Sequence, residues 1–577
     1  MEQKEKMKQL PLGVKDYVRL RERNYYFVDK TEYISIMENT SDFLFFTRPR
    51  RFGKSLFVSM LKEYYDIHAQ DRYEKEFKDT WIYNNPTPER GQYQIMFFNF
   101  SRIDVDFNKL EQIFNDYCCS VIEDFADEYA EYYSEGVISR MKKTDSAIQK
   151  LNVLTMEAER KRYKLYMIVD EYDNFTNSIL ATKGKTEFED ITHGTGFYRA
   201  LLKVFKDTAT RSLLIGVSPV TLDDLSSGAN NYTNITARED FNMALGFSQD
   251  EVETMIRYYQ EQGKITRSVE SIIEEIKPWY DNYCFAEEKY GVDPMIFNSD
   301  MVLYYMGILI QTGKSPKEML DSNTRTDYEK MKQLINLDRW DGNRKGKLEE
   351  IMEKGYIYAK IKSSFPAERI VNPDIFPSLL YYYGMLTIGG VEDDQVKLVI
   401  PNRNVQIQYF EYLLEMQQEE YDLDTESLEK SLRKAAIEGE WHPLLEYLAQ
   451  QYKEGTSIRD SSAGEKGIQL YMTAYLSLSR LFIMQPEVEM NHGYCDIFLL
   501  GDTFHYQRVK HSYIIELKYL KTDATDAEAE RQWQEAVEQV KRYGASENVQ
   551  KLTAATNLHL IILQMKGAEL LRLEEIS

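Results

Sequence analysis

Cysteine is scarce in this chain of 577 residues, which has only Cys118, Cys119, Cys284 and Cys495. None of them forms a CxxC pair, and none stands in a cysteine–histidine cluster with the spacing of a zinc site. The sequence therefore excludes a disulfide-stapled scaffold and a zinc-finger domain, and we expect free, reduced thiols. A chain of this length needs no such staple, because it can bury several hydrophobic cores.

Long apolar runs and an excess of basic residues are also missing. No stretch approaches the roughly 18 apolar residues of a transmembrane helix, so we expect no membrane partner. The charged start, MEQKEKMKQL, has no apolar segment like that of a secretory signal, which favours the cytoplasm. With 71 Lys and Arg against 94 Asp and Glu, the net charge is −23. This balance excludes a surface that grips a polyanion everywhere, although a local basic groove or a bound metal can still hold nucleic acid.

The first half of the chain alternates short apolar runs with helical patterns. Helices are predicted over 55–65 and through much of 107–165, and strands are predicted at 43–46, 94–100, 166–169 and 213–217. Apolar strands separated by helices predict an α/β fold, with a parallel sheet covered by helices on both faces.

The length predicts roughly three to five structural units. The predicted parts are an α/β domain at 1–247, a helical lid region at 248–345, a winged-helix-like module at 346–410, a helical connector at 411–455 and a second α/β domain at 456–577. In the module, two helices precede two strands, around 385–387 and 396–400, with Gly389 and Gly390 as the turn. The last domain is predicted to contain a helix at 462–481, strands at 487–490, 494–500 and 512–517, a helix that ends at 543 and a closing strand at 558–564.

A Gly-Lys-Ser triplet follows the first predicted strand and opens a helix. Gly53 lets the backbone approach phosphate, Lys54 is a cation for the β- and γ-phosphates, and the Ser55 hydroxyl is a ligand for Mg²⁺. The amides and dipole of the helix N-terminus add to this site. The general pattern has another glycine five residues earlier, where this chain has Arg48, followed by Pro49, Arg50, Arg51 and Phe52. Residues 48–55 are the predicted ATP-binding loop, and a triplet that arose by chance is the alternative.

Two further polar positions end apolar strands. Asp170 and Glu171 follow the run 166–169 as a Walker B element, in which Asp170 would hold Mg²⁺ through water and Glu171 would polarise the attacking water. Ser218 ends the run 213–217 and is a candidate sensor of the γ-phosphate. The alternative is that the two acidic residues cap a helix. The three elements in this order predict a P-loop site that binds ATP and Mg²⁺.

The last domain carries a second candidate site. Asp496 lies in one predicted strand, and Glu516 and Lys518 lie two positions apart in the next, on the same face. A buried glutamate and lysine are costly without partners. Mg²⁺ between the carboxylates of Asp496 and Glu516, about 4–6 Å apart, with Lys518 placing or activating a water, would suit phosphodiester hydrolysis. The alternative is a structural Glu516–Lys518 ion pair beside a solvated Asp496.

Helical positions extend this prediction. Glu465 precedes the first strand and is a candidate further metal ligand, while Gln539 and Tyr543, at i and i+4, can face the same site. The alternative for the end of this helix is a solvated face that pairs Lys541 with Glu538. The candidate cations for the phosphates of nucleic acid are Lys518, Lys521, Lys541 and Arg542.

Together these segments resemble a bacterial and archaeal family that pairs an AAA-ATPase-like domain with a C-terminal PD-(D/E)xK nuclease-superfamily domain. The most specific segment is FLFFTRPRRFGKSLFVSML, whose residues 48–55 are the family's own form of the loop, so the missing glycine is expected. Other similar segments are PLGVKDYVRLRERNYYFVDKT, VDEYD, GVSPVTLDD, WYDNYCF and IPNRNV. The stretch Gly493-Tyr494-Cys495-Asp496 lacks the arginine of the family's G-R-x-D pattern but keeps the metal-binding positions.

The resemblance implies ATP, Mg²⁺ and a DNA substrate, with an ATPase half that gates or assembles a nuclease half. A role in defence against foreign DNA or in a mobile element is implied by the resemblance alone. The rival hypothesis is a nucleotide-switched protein that binds DNA or protein and carries an inactive nuclease-like domain. A metabolic kinase is disfavoured, because the second site would be surplus. A homo-oligomer that completes the ATP site in trans is left open.

Overall fold

The computed structural model describes residues 6–103, 109–174, 197–219, 232–321, 344–365, 372–418, 423–455, 464–485 and 495–577. The chain divides into two compact units. One comprises Met1–Arg344 and Tyr358–Asn404, and the other comprises Lys345–Ile357 and Val405–Ser577. The finer division into five parts stays a prediction.

A five-stranded sheet organises the first unit, in the order β2-β3-β4-β1-β5. Its strands are β1 Phe43–Thr47, β2 Tyr93–Asn99, β3 Lys164–Asp170, β4 Arg211–Gly216 and β5 Thr233–Asn234. Every pairing is parallel, so the predicted parallel α/β fold is confirmed. β1 and β3 are separated by β4, which places the end of β4 between the loops that follow the other two strands. The short β5 was missed, because two residues carry no periodic pattern.

Helices surround this sheet and follow it in the chain. In the first unit they are α1 Tyr17–Glu22, α2 Glu32–Glu38, α3 Lys54–Tyr65, α4 Tyr73–Phe77, α5 Trp81–Asn84, α6 Leu110–Glu128, α7 Glu135–Lys142, α8 Ala147–Lys161, α9 Phe197–Thr208, α10 Gln249–Glu261, α11 Val269–Tyr280 and α12 Ser299–Thr312. α3 buries Phe57, Leu61 and Tyr64, which recur at helical spacing. The predicted helical character of 248–345 is confirmed for α10 to α12, whereas 322–343 lies outside the described residues.

The region around 346–400 contains one more strand than predicted. After α13 Arg344–Lys354 come β6 Tyr356–Ala359, α14 Phe376–Tyr382, β7 Thr387–Glu392 and β8 Gln395–Val399, and the sheet order is β6-β8-β7. The winged-helix-like character of this module stays a prediction.

The predicted turn of the β7–β8 hairpin is wrong. Gly389 and Gly390 lie inside β7, at an irregularity in the β7–β8 register. A Cβ atom on Gly389 would collide with the Val399 side chain, so glycine is there for a close cross-strand approach. The strands instead reverse at Asp393, whose φ of 51° is left-handed.

A mixed five-stranded sheet organises the second unit, in the order β13-β12-β11-β10-β9. β11 and β12 are parallel and the other neighbours are antiparallel. The strands are β9 Phe482–Gln485, β10 Ile497–Gly501, β11 His511–Leu520, β12 Asn557–Lys566 and β13 Glu569–Glu575. The further helices are α15 Arg403–Gln418, α16 Thr425–Glu438, α17 His442–Gly455, α18 Gly464–Leu476, α19 Asp526–Gly544 and α20 Glu547–Leu552.

One face of this sheet packs against α19. The core between them contains Phe498, Ile514, Trp533 and Val540. α19 begins with a capping box, in which Thr525 and Glu528 satisfy each other's backbone amides. β9 and β13 were missed, α18 is shorter than the predicted helix, and the strand predicted at 487–490 lies outside the described residues.

Among the described residues, no helix combines the length and the apolar character needed to span a membrane.

Candidate nucleotide site and candidate nuclease site

The predicted ATP-binding loop joins β1 to α3 through left-handed backbone. Arg51 has a φ of 68° and Gly53, the residue before α3, has a φ of 91°. An L side chain rarely adopts the conformation of Gly53, so the Gly-Lys-Ser triplet begins with the residue that the turn requires. The loop is also tied to the sheet, since the Arg48 amide donates to the Gly216 carbonyl at the end of β4.

The two halves of the predicted Mg²⁺ site meet across the sheet. The Ser55 hydroxyl at the start of α3 donates to Asp170 Oδ2 at the end of β3, at 3.0 Å. The buried Lys54 ammonium donates to the carbonyls of Arg48 and Pro49, at 2.9 and 3.0 Å. A hydroxyl and a carboxylate side by side are the oxygen ligands that Mg²⁺ prefers, so these residues fit the predicted metal.

Charges are concentrated at this point. Burial, followed by the charge of Glu171, raises the pKa of Asp170 to about 6, against the opposing effects of Lys54 and Ser55. Burial lowers the pKa of Lys54. Glu171 has a φ of 54°, and its amide donates to Asp170 Oδ1 at 2.9 Å. A divalent cation would favour the ionised form of Asp170.

Arg48 and Phe52 anchor the loop. The buried Arg48 guanidinium donates to the carbonyls of Thr47, Thr236 and Phe241 and stacks over Phe285, 4.2 Å from the ring centroid. The Phe52 ring meets Phe285 edge-on at 5.4 Å. The Arg48 and Phe52 side chains therefore fix the loop against the residues that pack beside it. A direct contact of Arg48, Pro49, Arg50 or Phe52 with ATP stays a prediction.

Arg51 faces acidic residues that follow the sheet in the chain. Its guanidinium lies 3.0 Å from Asp300 and 3.7 Å from Asp321. Its carbonyl accepts a hydrogen bond from the Ser299 hydroxyl at 3.1 Å. The start of α12 is thus fixed against the loop, within one unit of the chain.

Asp173 is a site residue that the sequence reasoning missed. It accepts hydrogen bonds from the amides of Val217 and Ser218, at 3.1 and 2.9 Å, and from the Ser218 hydroxyl at 3.2 Å. A Cβ atom on Gly216 would collide with Asp173, so glycine is required beside it. The third acidic residue of VDEYD was the available signal. Ser218 is held by Asp173, and its contact with the γ-phosphate stays a prediction.

The second site lies where β10 begins and β11 runs toward its end. Ile497 pairs with Ile515 in an antiparallel ladder, so the preceding position, Asp496, lies across from Glu516. Residues directly opposite each other point to the same face, and Lys518 shares that face with Glu516. The register therefore brings together the three residues that the sequence singled out.

Contacts confirm this proximity. The Lys518 ammonium donates to Glu516 Oε1 at 2.7 Å, and Asp496 Oδ2 accepts the Leu517 amide at 2.7 Å. Glu516 is 2% exposed, and its second oxygen, Oε2, is buried without a hydrogen-bond partner. An unpartnered buried carboxylate oxygen is costly, which fits a cation ligand.

Burial and mutual repulsion dominate the electrostatics here. Burial, followed by the charge of Glu516, raises the pKa of Asp496 to about 8. Burial also raises the pKa of Glu516, although Lys518 opposes it. The pKa of Lys518 is raised overall. Burial alone would lower it, but the neighbouring Glu516 and Asp496 carboxylates stabilise the ammonium more strongly. The two carboxylates therefore resist ionising together, and a bound metal ion would stabilise their ionised forms.

The helical candidates lie around this pair. Glu465 is exposed at the start of α18, and its charge raises the pKa of both Asp496 and Glu516. Gln469 on the same helix donates to the Asp496 carbonyl at 3.2 Å. Within the described ranges, no group of three or more His, Cys, Asp or Glu side chains is arranged to hold a metal ion. The described geometry thus centres on two carboxylates, and Glu465 as a ligand stays a prediction.

On α19, Tyr543 lies close enough to Glu516 and Asp496 to interact with their charges, whereas the nearness of Gln539 to this pair stays a prediction. Gln539 Oε1 is buried without a hydrogen-bond partner. Tyr543 is buried, and burial, followed by the charge of Glu516, raises the pKa of its hydroxyl to about 12. The catalytic role of Gln539 stays a prediction.

Comparison with known proteins decides what the two units carry. Residues 11–226 match the family described as predicted AAA-ATPase, and residues 463–575 match the PD-(D/E)XK nuclease superfamily. The chain pairs an AAA-ATPase-like domain with a PD-(D/E)XK nuclease-superfamily domain. The family resemblance drawn from the sequence is confirmed.

Relatives of this chain are distant. An uncharacterized protein in the vnfD 5′ region of Azotobacter chroococcum mcd 1 is 25% identical over 300 residues, which are 49% of this chain and 49% of that protein. The chain thus spans about half the length of this curated relative. The structure of the Walker-type ATPase PABY2304 of Pyrococcus abyssi is 11% identical in sequence, with a TM-score of 0.37. The match covers 66% of this chain and 94% of the ATPase chain. The ORC1 protein of Aeropyrum pernix, solved with DNA, is 10% identical with a TM-score of 0.27 over 67% and 93%. Likenesses this weak do not define the fold.

Two glutamines of the nuclease-superfamily domain were also missed. Gln564 on β12 lies beside Lys518 in the register, is buried, and donates to the Ala529 carbonyl at 2.9 Å and to Gln532 at 3.0 Å. Gln532 on α19 donates to the Tyr519 carbonyl at 3.0 Å. These bonds fix α19 on the strand that carries Glu516 and Lys518. A polar Gln within the apolar run LIILQM was the available signal.

The raised pKa of Asp496 predicts how Mg²⁺ binding depends on pH. A carboxyl with a pKa of about 8 holds its proton below that pH, and the metal must displace it. Without nucleotide, Mg²⁺ affinity should therefore rise by up to about tenfold per pH unit toward pH 8 and level off above it. Calorimetry in buffers of different ionisation enthalpy should show proton release near pH 7. Asp496→Asn should remove the pH dependence of Mg²⁺ affinity, whereas Asp523→Asn, at an exposed position, should retain it. A parent protein whose Mg²⁺ affinity stays constant from pH 6.5 to 8 would contradict the prediction.

Proposed function

We propose that this chain hydrolyses ATP at the first site and cleaves nucleic acid, with DNA as the expected substrate, at the second. The ATPase part is supported by the Ser55–Asp170 hydrogen bond, which joins the loop after β1 to the acidic end of β3. A P-loop nucleotide site needs this meeting of a metal-binding hydroxyl and a metal-binding carboxylate. Lys54 would hold the β- and γ-phosphates, and Glu171 would orient and polarise water.

The observation that carries the nuclease part is the pair of the partly buried Asp496 and the buried Glu516. The two lie across from each other, Glu516 Oε2 lacks a hydrogen-bond partner, and the Lys518 ammonium donates to Glu516 Oε1. Mg²⁺ bound here would stabilise the negative charge that builds on phosphate during cleavage. Lys518 would hold a water or a phosphate oxygen, since its ammonium has two further protons to donate.

We also propose that the two activities are coupled, since both domains are present in one chain. We expect ATP binding or turnover to control cleavage, as the family resemblance implies. The rival hypothesis, a nucleotide-switched binding protein with an inactive nuclease-like domain, differs in one measurable respect. It predicts binding of a partner without cleavage.

A cleavage assay separates these hypotheses. The purified chain is incubated with single- and double-stranded DNA and RNA, with and without Mg²⁺ and ATP, and the products are resolved on a gel. Mg²⁺-dependent cleavage supports the proposal, and its stimulation by ATP supports coupling. Retained binding without cleavage under every condition favours the rival.

Local cations must hold nucleic acid on a chain with a net charge of −23. Lys541 and Arg542 are exposed in the last turn of α19 and directly precede the buried Tyr543. Lys541→Glu with Arg542→Glu should weaken binding and flatten the log–log salt dependence by about one to two, because two phosphate contacts are lost. Binding titrations over a salt series measure this slope.

The control for this pair is Lys142→Glu with Lys143→Glu, an exposed basic pair at the end of α7. It makes the same change in net charge within the first unit and should leave the slope unchanged. ATP turnover without nucleic acid should stay constant in both variants. Equal slopes in the parent and the α19 variant would show that Lys541 and Arg542 belong to a solvated helix face.

A further inference from the structure

The segment WYDNYCF, at 279–285, packs directly on the ATP-binding loop. The rings of Tyr283 and Phe285 are nearly parallel, at 13°, with their centroids 6.1 Å apart. The buried Phe52 ring meets both almost at right angles, 4.9 Å from Tyr283 and 5.4 Å from Phe285. The segment therefore grips the residue that directly precedes Gly53, the first residue of the Gly-Lys-Ser triplet.

Phe285 also contacts the other end of the loop. The Arg48 guanidinium stacks over the Phe285 ring, 4.2 Å from its centroid, and over the Phe46 ring at 4.7 Å. Its three hydrogen-bond acceptors are backbone carbonyls, and within the described part of the chain its Nε is buried without a hydrogen-bond partner. Because these acceptors are neutral, the negative faces of the two rings supply part of the compensation that the buried charge requires. Phe285 thus touches both Arg48 and Phe52, the residues that enclose the arch of the loop.

The backbone of Phe285 is fixed by two residues from different parts of the first unit. Its amide donates to Asn242 Oδ1 at 2.9 Å, and its carbonyl accepts the Tyr381 hydroxyl of α14 at 2.9 Å. Asn242 directly follows Phe241, whose carbonyl accepts a hydrogen bond from Arg48 at 2.7 Å. The loop, the segment that ends at Asn242 and Phe285 therefore form a closed ring of contacts.

This ring of contacts supports an unusual backbone shape. Between Arg48 and the start of α3, Arg51 and Gly53 are both left-handed, with φ of 68° and 91°, a region that a free loop populates little. The Lys54 ammonium donates to the carbonyls of Arg48 and Pro49, so the shape of the arch also places the cation proposed for the phosphates. A loop that is held in this shape before ATP arrives does not have to be ordered at the moment of binding.

We propose that Phe285 is a positioning residue for ATP binding, whose ring holds Arg48 and Phe52 so that the loop keeps its binding shape in the nucleotide-free protein. This inference rests on the proposed function of the first site. It assigns a role to the segment WYDNYCF, which acts through the loop. Sequence patterns give no sign of this role, because Phe285 is distant from the loop in the chain and the contact is made only by packing.

The test compares Phe285→Leu with Phe125→Leu. Both variants lose one buried ring of the first unit, but Phe125 lies on α6, where its ring packs against Tyr129 and Tyr133. Phe285→Leu should raise the Kd and the KM for ATP about 5- to 10-fold, the effect of losing the aromatic and cation–π contacts. Its kcat should stay within about twofold of the parent, because bound ATP itself orders the loop. Phe125→Leu should lower the Tm and leave Kd, KM and kcat within about twofold.

Hydrogen exchange without nucleotide gives a second readout. Peptides that cover residues 48–57 should exchange faster in Phe285→Leu than in the parent, and at the parental rate in Phe125→Leu. In a double-mutant cycle, the losses of ATP affinity from Phe285→Leu and Phe52→Leu should be less than additive, because both remove the same contact. If Phe285→Leu does not fold, Phe285→Met replaces it, since methionine fills the site with a flexible side chain that lacks a ring.

The other outcomes separate this inference from the proposed function. If the parent binds ATP and Phe285→Leu binds it equally well, the inference is wrong, whatever the exchange rate of the loop, and the proposed function stands. If Phe285→Leu and Phe125→Leu weaken ATP binding to the same extent, the effect is general destabilisation and the inference is again wrong. If the parent binds no ATP, the proposed ATPase function and this inference both fail.

Discussion

Glu516→Gln is expected to abolish Mg²⁺-dependent cleavage of nucleic acid, with a fall of about 100-fold or more. Loss of an outer-shell partner of a metal already costs about 10- to 100-fold, and Glu516 is a predicted direct ligand. The substitution preserves the shape of the side chain and removes the buried charge that Asp496 and Lys518 surround. Gel assays at saturating Mg²⁺ measure the residual rate.

The matched control for this variant is Glu535→Gln, at an exposed position on α19 of the same domain. It removes one carboxylate from the surface and should cleave like the parent. Glu516→Gln should also lose Mg²⁺ binding in the absence of nucleotide, while ATP turnover stays intact. A Glu516→Gln variant that cleaves at the parental rate would exclude this pair as the catalytic centre and leave the rival binding function.

Lys54→Ala is expected to weaken ATP binding about 10- to 100-fold, and turnover should fall with it. The lysine is a buried cation at the start of α3, and a charge-assisted hydrogen bond of this kind is worth about 1.5–3 kcal/mol. Fluorescence titration with a labelled ATP analogue measures affinity, and phosphate release measures turnover. Lys62→Ala, which removes a lysine from the last turn of the same helix, should change neither.

Glu171→Gln separates binding from chemistry at the same site. It should retain ATP affinity, because the Asp170 carboxylate and Lys54 remain, and it should slow hydrolysis about 100-fold or more, because the charge that polarises water is lost. Glu171 follows the end of β3 in a left-handed conformation. If Glu171→Gln loses ATP binding as Lys54→Ala does, its carboxylate is structural and another residue must polarise the water.

Elements with a long periodic pattern were predicted well. The four longer strands of the parallel sheet and α3 lie within a few residues of their predicted positions. The strands contain uninterrupted apolar runs such as FLFF and LYMIV, which are almost entirely buried. The Gly-Lys-Ser triplet, the Asp-Glu pair and the Glu-x-Lys spacing are local patterns as well. The residue types in these patterns indicate phosphate or metal binding even when their contacts are unknown.

Other features failed because they depend on close approach or on short segments. β5 is two residues long, and the hairpin turn was assigned to Gly389 and Gly390, although these glycines serve a contact with Val399. Asp173, Gln532 and Gln564 act through hydrogen bonds to residues distant in sequence. No periodicity reports such bonds, because the partner is set by packing.

The α/β class, the pairing of two domains and the candidate residues of both sites can all be predicted from the amino-acid sequence. Only the folded structure shows that β4 lies between β1 and β3, that Asp496 lies across from Glu516, and that Ser218 donates hydrogen bonds to Asp173. Local propensity and periodicity act within a few residues, so the chain encodes them visibly. Strand order, register and buried hydrogen bonds are instead fixed by the packing of distant segments, in which each buried polar group must find its partner.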